Sequence, residues 1–441
     1  MKGSWSAIVP VVLVGLACTL VFWLRIRRFA PMERRLFWGS FCLHVAATGM
    51  LYFLTVHVYG VGDMLGYSAR GAAIAREFSR DLLGGVAGLV SMLAGTGGVG
   101  VFAPHGAPPT IRFTAVSGVL SYVSGGSFLG AMLLMATIVS LSMVSLYGAL
   151  KLHVDRLLHS RLLVGIMFTP GVLFWSSGLL KEALAITAIG VSASGFSRWL
   201  RFKRWPRLLQ AVVWVVVLLG FKSYVAVALV AAYLAWIVMV LPEARRKRLL
   251  LVAVLLGAAI LIVSANSAQR YAQSWAGRFA EQQEPGAEFS GGSTVSRGVT
   301  PSSSVVGQLS NLPVGLLTVW TRPWPSDVKN PFLAVSSLQV LVLLGFGVSA
   351  FSRLRWRGIA RRVKAMPVLG FCFVFGFVES IAVGLGSLNL GSIDRYRAPA
   401  LLLVVPALLV LQGDLPARSG RKLSLLPTER TSRPDALRPL V

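Results

Sequence analysis

Residues 8–35 read IVPVVLVGLACTLVFWLRIRRFAPMERR, an uncharged apolar run (8–24) followed at once by five arginines within Arg25–Arg35. At about 1.5 Å per residue such a run covers roughly 26 Å, close to the ~30 Å of a hydrocarbon core. The pattern then repeats. Further basic clusters stand at Lys151–Arg161, Arg198–Arg207, Arg245–Arg248, Arg353–Lys364 and from Arg418 onward, with apolar runs between them. Lys and Arg collect in the cytoplasmic connections of membrane proteins, so all six clusters are expected on that side. No small-residue cleavage site precedes the first cluster, and the first run is read as a retained span, not a removed signal.

Composition agrees with this reading. Of 441 residues, 55% are hydrophobic and 13% charged, against about 25% charged in an ordinary soluble domain. A formal net charge of +27 raises the question of nucleic acid. Twenty-nine of the 43 basic residues fall in the six short clusters, however. They alternate with spans instead of forming one face, so topology and anionic headgroups explain them and a nucleic-acid partner is not expected. Cys18, Cys42 and Cys372 all lie in apolar runs and suggest neither disulfide nor metal spacing.

Counting crossings predicts an all-α polytopic membrane protein with about eleven spans, the N-terminus outside and the C-terminus inside. The expected spans are 8–24, 37–59, 128–150, 162–178, 182–197, 208–221, 223–241, 249–265, 331–351, 366–388 and 398–412. Residues 1–412 then form one membrane domain with outer loops 60–127 and 266–330, and 413–441 form a basic disordered tail. Within the first loop, 71–78 reads as a short helix and 113–126 as an amphipathic element in the interface.

The residues able to carry chemistry fall on the outer side of this map. Asp63 follows the second span, where a carboxylate serves as a general base or simply as a helix N-cap. Trp175 and the pair Lys181-Glu182 occupy a tight turn beyond Pro170, as cavity-rim groups or as boundary anchors. Lys222 sits at another turn and is either a snorkelling anchor or a phosphate contact. Asp394-Arg395-Tyr396-Arg397 opens the last span, and Arg322 with Trp324 precedes the ninth. Guanidinium groups suit phosphate, while an Asp394–Arg helix-capping pair is the plainer reading. Glu379 stands alone in the tenth span. No His pair has metal-ligand spacing, and no phosphate-cradling Gly loop or Ser-His-Asp order is visible.

Four strings taken together, Gly62-Asp63…Tyr67…Gly71, Phe174-Trp175-Ser176-Ser177-Gly178…Lys181-Glu182, Arg322-Pro323-Trp324-Pro325 and Arg395-Tyr396-Arg397-Ala398-Pro399, resemble Wzy-type polysaccharide repeat-unit polymerases and the wider C-superfold (GT-C-like) membrane glycosyltransferases. The resemblance implies glycosyl transfer from polyprenyl-(pyro)phosphate-linked sugars at the periplasmic face of a bacterial inner membrane. A monosaccharide transferase and a lipid-linked sugar flippase remain as alternatives. The resemblance matches Asp63 and the Arg395–Pro399 string. The chemistry of a departing lipid phosphate then leads us to expect Asp63 or Glu182 as base, and Lys181, Lys222, Arg322, Arg395 and Arg397 as the cations that meet phosphate. Tyr67, Trp175, Trp324 and Tyr396 would contact sugar rings. No cofactor is indicated and a divalent metal stays open. The implied partners are a polyprenyl-linked oligosaccharide, membrane lipid, and a chain-length regulator and flippase of the same pathway.

Overall fold

The computed structural model describes residues 5–103, 106–242, 277, 302–328, 331–387 and 390–414. The expected eighth span, the cluster at 245–248, most of the second outer loop and the basic tail therefore lie outside the described residues. Among the described residues every regular element is helical.

The chain begins with α1 (Trp5–Ile26) and α2 (Pro31–Phe53), the latter continuing as a π-helical turn, Leu54–Tyr59. The first outer segment folds into α3 (Asp63–Arg80), α4 (Leu82–Ala94) and α5 (Pro108–Val123). Then come α6 (Phe128–Leu150), α7 (His159–Phe168), α8 (Pro170–Ser176), α9 (Lys181–Phe202), α10 (Trp205–Phe221) and α11 (Ser223–Val240). The last five are α12 (Val305–Thr321), α13 (Pro331–Ala365), α14 (Pro367–Gly386), α15 (Leu390–Tyr396) and α16 (Ala398–Leu411).

Local chemistry sets the boundaries. Pro31, Pro108, Pro170 and Pro367 stand at helix N-termini, where a missing N–H costs nothing. The side chains of Asp81, Ser127 and Ser304 cap α4, α6 and α12. Gly95, at φ 85°, ends α4 in the left-handed conformation.

Six helices, α1, α2 with its π turn, α6, α11, α13 and α14, are long and apolar enough to cross a membrane. The pair α7–α8, bent by 42° at Thr169-Pro170, makes a seventh if taken as one span. The described residues thus form an all-helical, multi-pass membrane protein. Helices also stand where the fifth, sixth and last spans are expected, but α10 and α16 are shorter. Helix α9 carries Lys181, Glu182, Arg198 and Arg201 and is rich in Ala, Ser and Gly. It is enclosed by α6 and α10, so small residues that admit close neighbours serve it better than large apolar ones.

The centre of the bundle is a row of stacked rings. Phe196 lies 3.9 Å from Tyr233, and Tyr233 lies 5.6 Å from Phe371. In the outer segment the short helix expected at 71–78 is the middle of the longer α3. The interfacial reading of 113–126 gives way, because α5 packs against α3, α4, α6 and α10 and buries Phe113, Ala115, Ser117 and Gly118.

Candidate functional site

One end of the bundle gathers the basic segments. Lys151 pairs with Glu33 at 2.9 Å, Arg25 donates to Ser145 Oγ at 2.8 Å, and Arg198 reaches the Ser145 carbonyl. Arg362 donates to the carbonyl oxygens of Leu411 and Gly413. Most of the predicted site residues lie at the opposite end.

There a cavity of about 410 Å³ opens between the end of α2, the start of α3, α8, the first turns of α13, and α15. Its wall is mostly apolar, from Leu51, Leu54, Met64, Phe174, Leu180 and Leu333, and its charged groups are Asp63, Asp394 and Arg395, with Ser336 among its hydroxyls. That volume lies within the roughly 300–1,000 Å³ usual for small-ligand pockets.

Asp63 opens α3 directly after Gly62, whose φ of 130° only glycine adopts readily. Its carboxylate is about half exposed (53%) and accepts a hydrogen bond from Arg395 Nη1 at 3.1 Å. Arg395 Nε in turn lies 3.2 Å from Glu182 Oε1, and Lys222 Nζ donates to that same oxygen at 2.7 Å. The result is an alternating chain, Asp63–Arg395–Glu182–Lys222, running from water to the interior. Lys222 also donates to Tyr224 Oη at 3.1 Å and stands 4.7 Å from the centre of the Tyr396 ring. Burial alone would push the Lys222 ammonium down, but Glu182 and Tyr224 outweigh it and hold it above the ordinary 10.5. Lys181, the first residue of α9, donates to Thr110 Oγ1 at 2.9 Å and faces the Tyr67 ring. Burial lowers its affinity for a proton despite Asp63 and Glu182 nearby, and burial with the Asp63 charge pushes Tyr67 up to about 12.

A second network braces the far wall. The fully buried Arg397 donates to Asp394 Oδ1 at 2.5 Å, to Ser336 Oγ at 2.8 Å, and to the carbonyls of Val319 and Arg322 at 3.1 and 2.7 Å. Asp394 also accepts from Trp175 Nε1 at 2.9 Å, which fixes that indole at the cavity wall. No family model, curated protein or solved structure matches this chain.

The structure therefore brings together Asp63, Tyr67, Trp175, Lys181, Glu182, Lys222, Arg395, Tyr396 and Arg397. It separates two others. The guanidinium of Arg322 is engaged with Asp327 at 2.9 and 3.0 Å, and only its carbonyl joins the site, through Arg397. Trp324 is exposed and does not line the cavity; its backbone N–H is bonded to Asp327. Glu379 is fully buried within α14, also off the cavity lining. Sequence reasoning did not assign Ser336, Tyr224 or Asp327. For Asp394 the sequence signal points to the plainer alternative, an Asp394–Arg pair, and that pair is present with Arg397, three residues and one helical turn away. None existed for Ser336, whose role depends on how α13 packs. Among the described residues no three His, Cys, Asp or Glu side chains group as a metal cage.

Proposed function

We propose that the chain transfers glycosyl groups from polyprenyl-(pyro)phosphate-linked sugars, in the first instance to polymerise repeat units of an exopolysaccharide or O-antigen. In this reading it is a Wzy-type, GT-C-like enzyme of the bacterial inner membrane, spanning it eleven times with the cavity facing the periplasm. The observation that carries the reading is Asp63: a water-accessible carboxylate, held by a guanidinium, over an apolar cavity in a membrane protein.

The chemistry follows from that pairing. The acceptor hydroxyl forms a bond to the anomeric carbon as the bond from that carbon to the lipid phosphate oxygen breaks. The hydroxyl proton passes to Asp63 and negative charge develops on the departing phosphate. Arg395 reaches the cavity and supplies positive charge where it develops. Glu182 is enclosed between two cations and serves as their counter-charge, which leaves Asp63 as the base. Phe174 and Trp175 offer ring faces to a sugar, and Lys222 stabilises the buried end of the chain.

The test is incubation of the full chain in lipid nanodiscs with a single lipid-linked repeat unit. A ladder of products is expected. Asp63→Asn and Arg395→Ala should each lower the rate by about 10²–10⁴, the range for a lost acid–base group or preorganised charge. Wild-type yield and length distribution from both variants would overturn the assignment. One shifted band without a ladder would mean single-sugar transfer, and lipid translocation without a new glycosidic bond would mean transport.

A further inference from the structure

Helix α4 is built inside out for a helix in water. Its sequence, LLGGVAGLVSMLA, holds no charged residue. The face turned to the protein is made mainly of small or unbranched residues, with Leu89 partly buried beside them. A Cβ on Gly85 would meet the Phe78 ring at 3.1 Å, one on Gly88 would meet Phe102 at 2.5 Å, and Met92 joins the cluster around Ile74 and Ile111. The large apolar side chains point away. Leu83 is 83% exposed and Val90 58%, with Val86 and Leu93 in the same stripe at helical spacing. A water-soluble helix buries such a stripe, and doing so is worth about 1.5–3 kcal/mol per residue.

Arg112 fixes where this helix lies. From α5 its Nε donates to the Leu93 carbonyl at 3.0 Å and its Nη1 to the Gly220 carbonyl at 2.9 Å, closing the C-terminal ends of α4 and α10 together. The C-terminal end of α4 thus lies beside that of α10, whose own exposed apolar residues include Val216 and Leu219. Thirteen residues at about 1.5 Å each give roughly 20 Å, too short to cross a ~30 Å core.

We infer that α4 is inserted into the outer leaflet, its Leu83–Leu93 stripe covered by lipid acyl chains and not by a protein partner. It anchors α3, the helix that opens with Asp63, through the Asp81 cap and the Phe78 contact. This inference is independent of the proposed chemistry.

A benzophenone side chain placed singly at Val86, Val90, Val216 or Arg76 tests it, in the full chain reconstituted in phosphatidylethanolamine–phosphatidylglycerol vesicles. Irradiation followed by mass spectrometry should give lipid adducts at Val86 and Val90 within about twofold of those at Val216, as for a buried apolar face. The exposed polar position Arg76, on α3, should give at least roughly tenfold fewer, since it faces water. Lipid adducts at Val216 with none at Val86 and Val90, or cross-links from those two to a second copy of the chain, would overturn the inference.

Discussion

Glu182 shows how packing, and not sequence adjacency, chooses the partners of a charged side chain. As a neighbour of Lys181 it looked like a partner in a rim pair, but its oxygen faces Lys222 and Arg395 instead. Removing one member of a buried pair leaves the other charge unsolvated, at a cost of about 3–5 kcal/mol. Glu182→Gln should therefore lower the melting temperature in detergent sharply, as should Lys222→Met, and the double variant should lose less than the sum. Asp63→Asn, at a half-exposed position, should leave melting nearly unchanged while activity falls. The pH dependence has a definite sign. Lys222 binds its proton more tightly folded than unfolded, so its contribution is complete below the ordinary value of 10.5 and fades as pH rises beyond it. Melting curves between pH 7 and 11 should show an alkaline fall that Lys222→Met lacks. The Asp63–Arg395 contact, 332 residues apart, was not legible: adjacency to spans suggested a shared side of the membrane, and packing alone chose the partners.

Among elements, the long apolar spans were easiest to read, because a hydrocarbon core demands an uninterrupted apolar run whether the helix faces lipid or other helices, and the sequence displays it. α1, α2, α6, α11 and α14 stand close to their expected limits, whereas α13 runs past the expected end at 351 and through the Arg353–Lys364 cluster to Ala365, interrupted by the non-helical backbone of Arg355 (φ 51°). α9 is long enough at 22 residues but is diluted by charged and small polar residues, while α16 is apolar but only 14 residues long. The bend between α7 and α8 was foreseeable from Pro170. Its support was not, for Gln339 Oε1 accepts from the Gly171 N–H at 2.5 Å from across the bundle. Gln339→Leu strands that buried donor and should cost about 1–3 kcal/mol, visible as a lower melting temperature. At the α12–α14 crossing a Cβ on Gly384 would meet the Gly315 backbone at 2.6 Å. Gly384→Leu should push these helices apart. Because α12 ends on Arg322, whose carbonyl holds Arg397, the same variant should also reduce activity.

At the scale of the molecule, the alternation of basic clusters and apolar runs announced two chemically unlike ends, and the four described basic clusters meet at one of them. The pairs that form within each end, such as Lys151–Glu33 and Asp63–Arg395, were beyond reach of periodicity. Sidedness itself is open to measurement. Val61→Cys should react with a membrane-impermeant maleimide in intact cells, whereas Leu157→Cys, at the basic end, should react only after permeabilisation; the reverse pattern, or equal labelling, would remove the periplasmic placement.

The two rims of the cavity are unequally held. On one, Arg397 stitches α12, α13 and α15 together through four acceptors. On the other, Asp63 follows a π-helical turn and two glycines at positive φ, Gly60 and Gly62, where the backbone has few neighbours to restrain it. The mouth thus works as a vice with one fixed jaw. Gly62→Ala cannot readily hold φ 130°, so it should displace Asp63 from Arg395 and slow the proposed transfer with every acceptor alike.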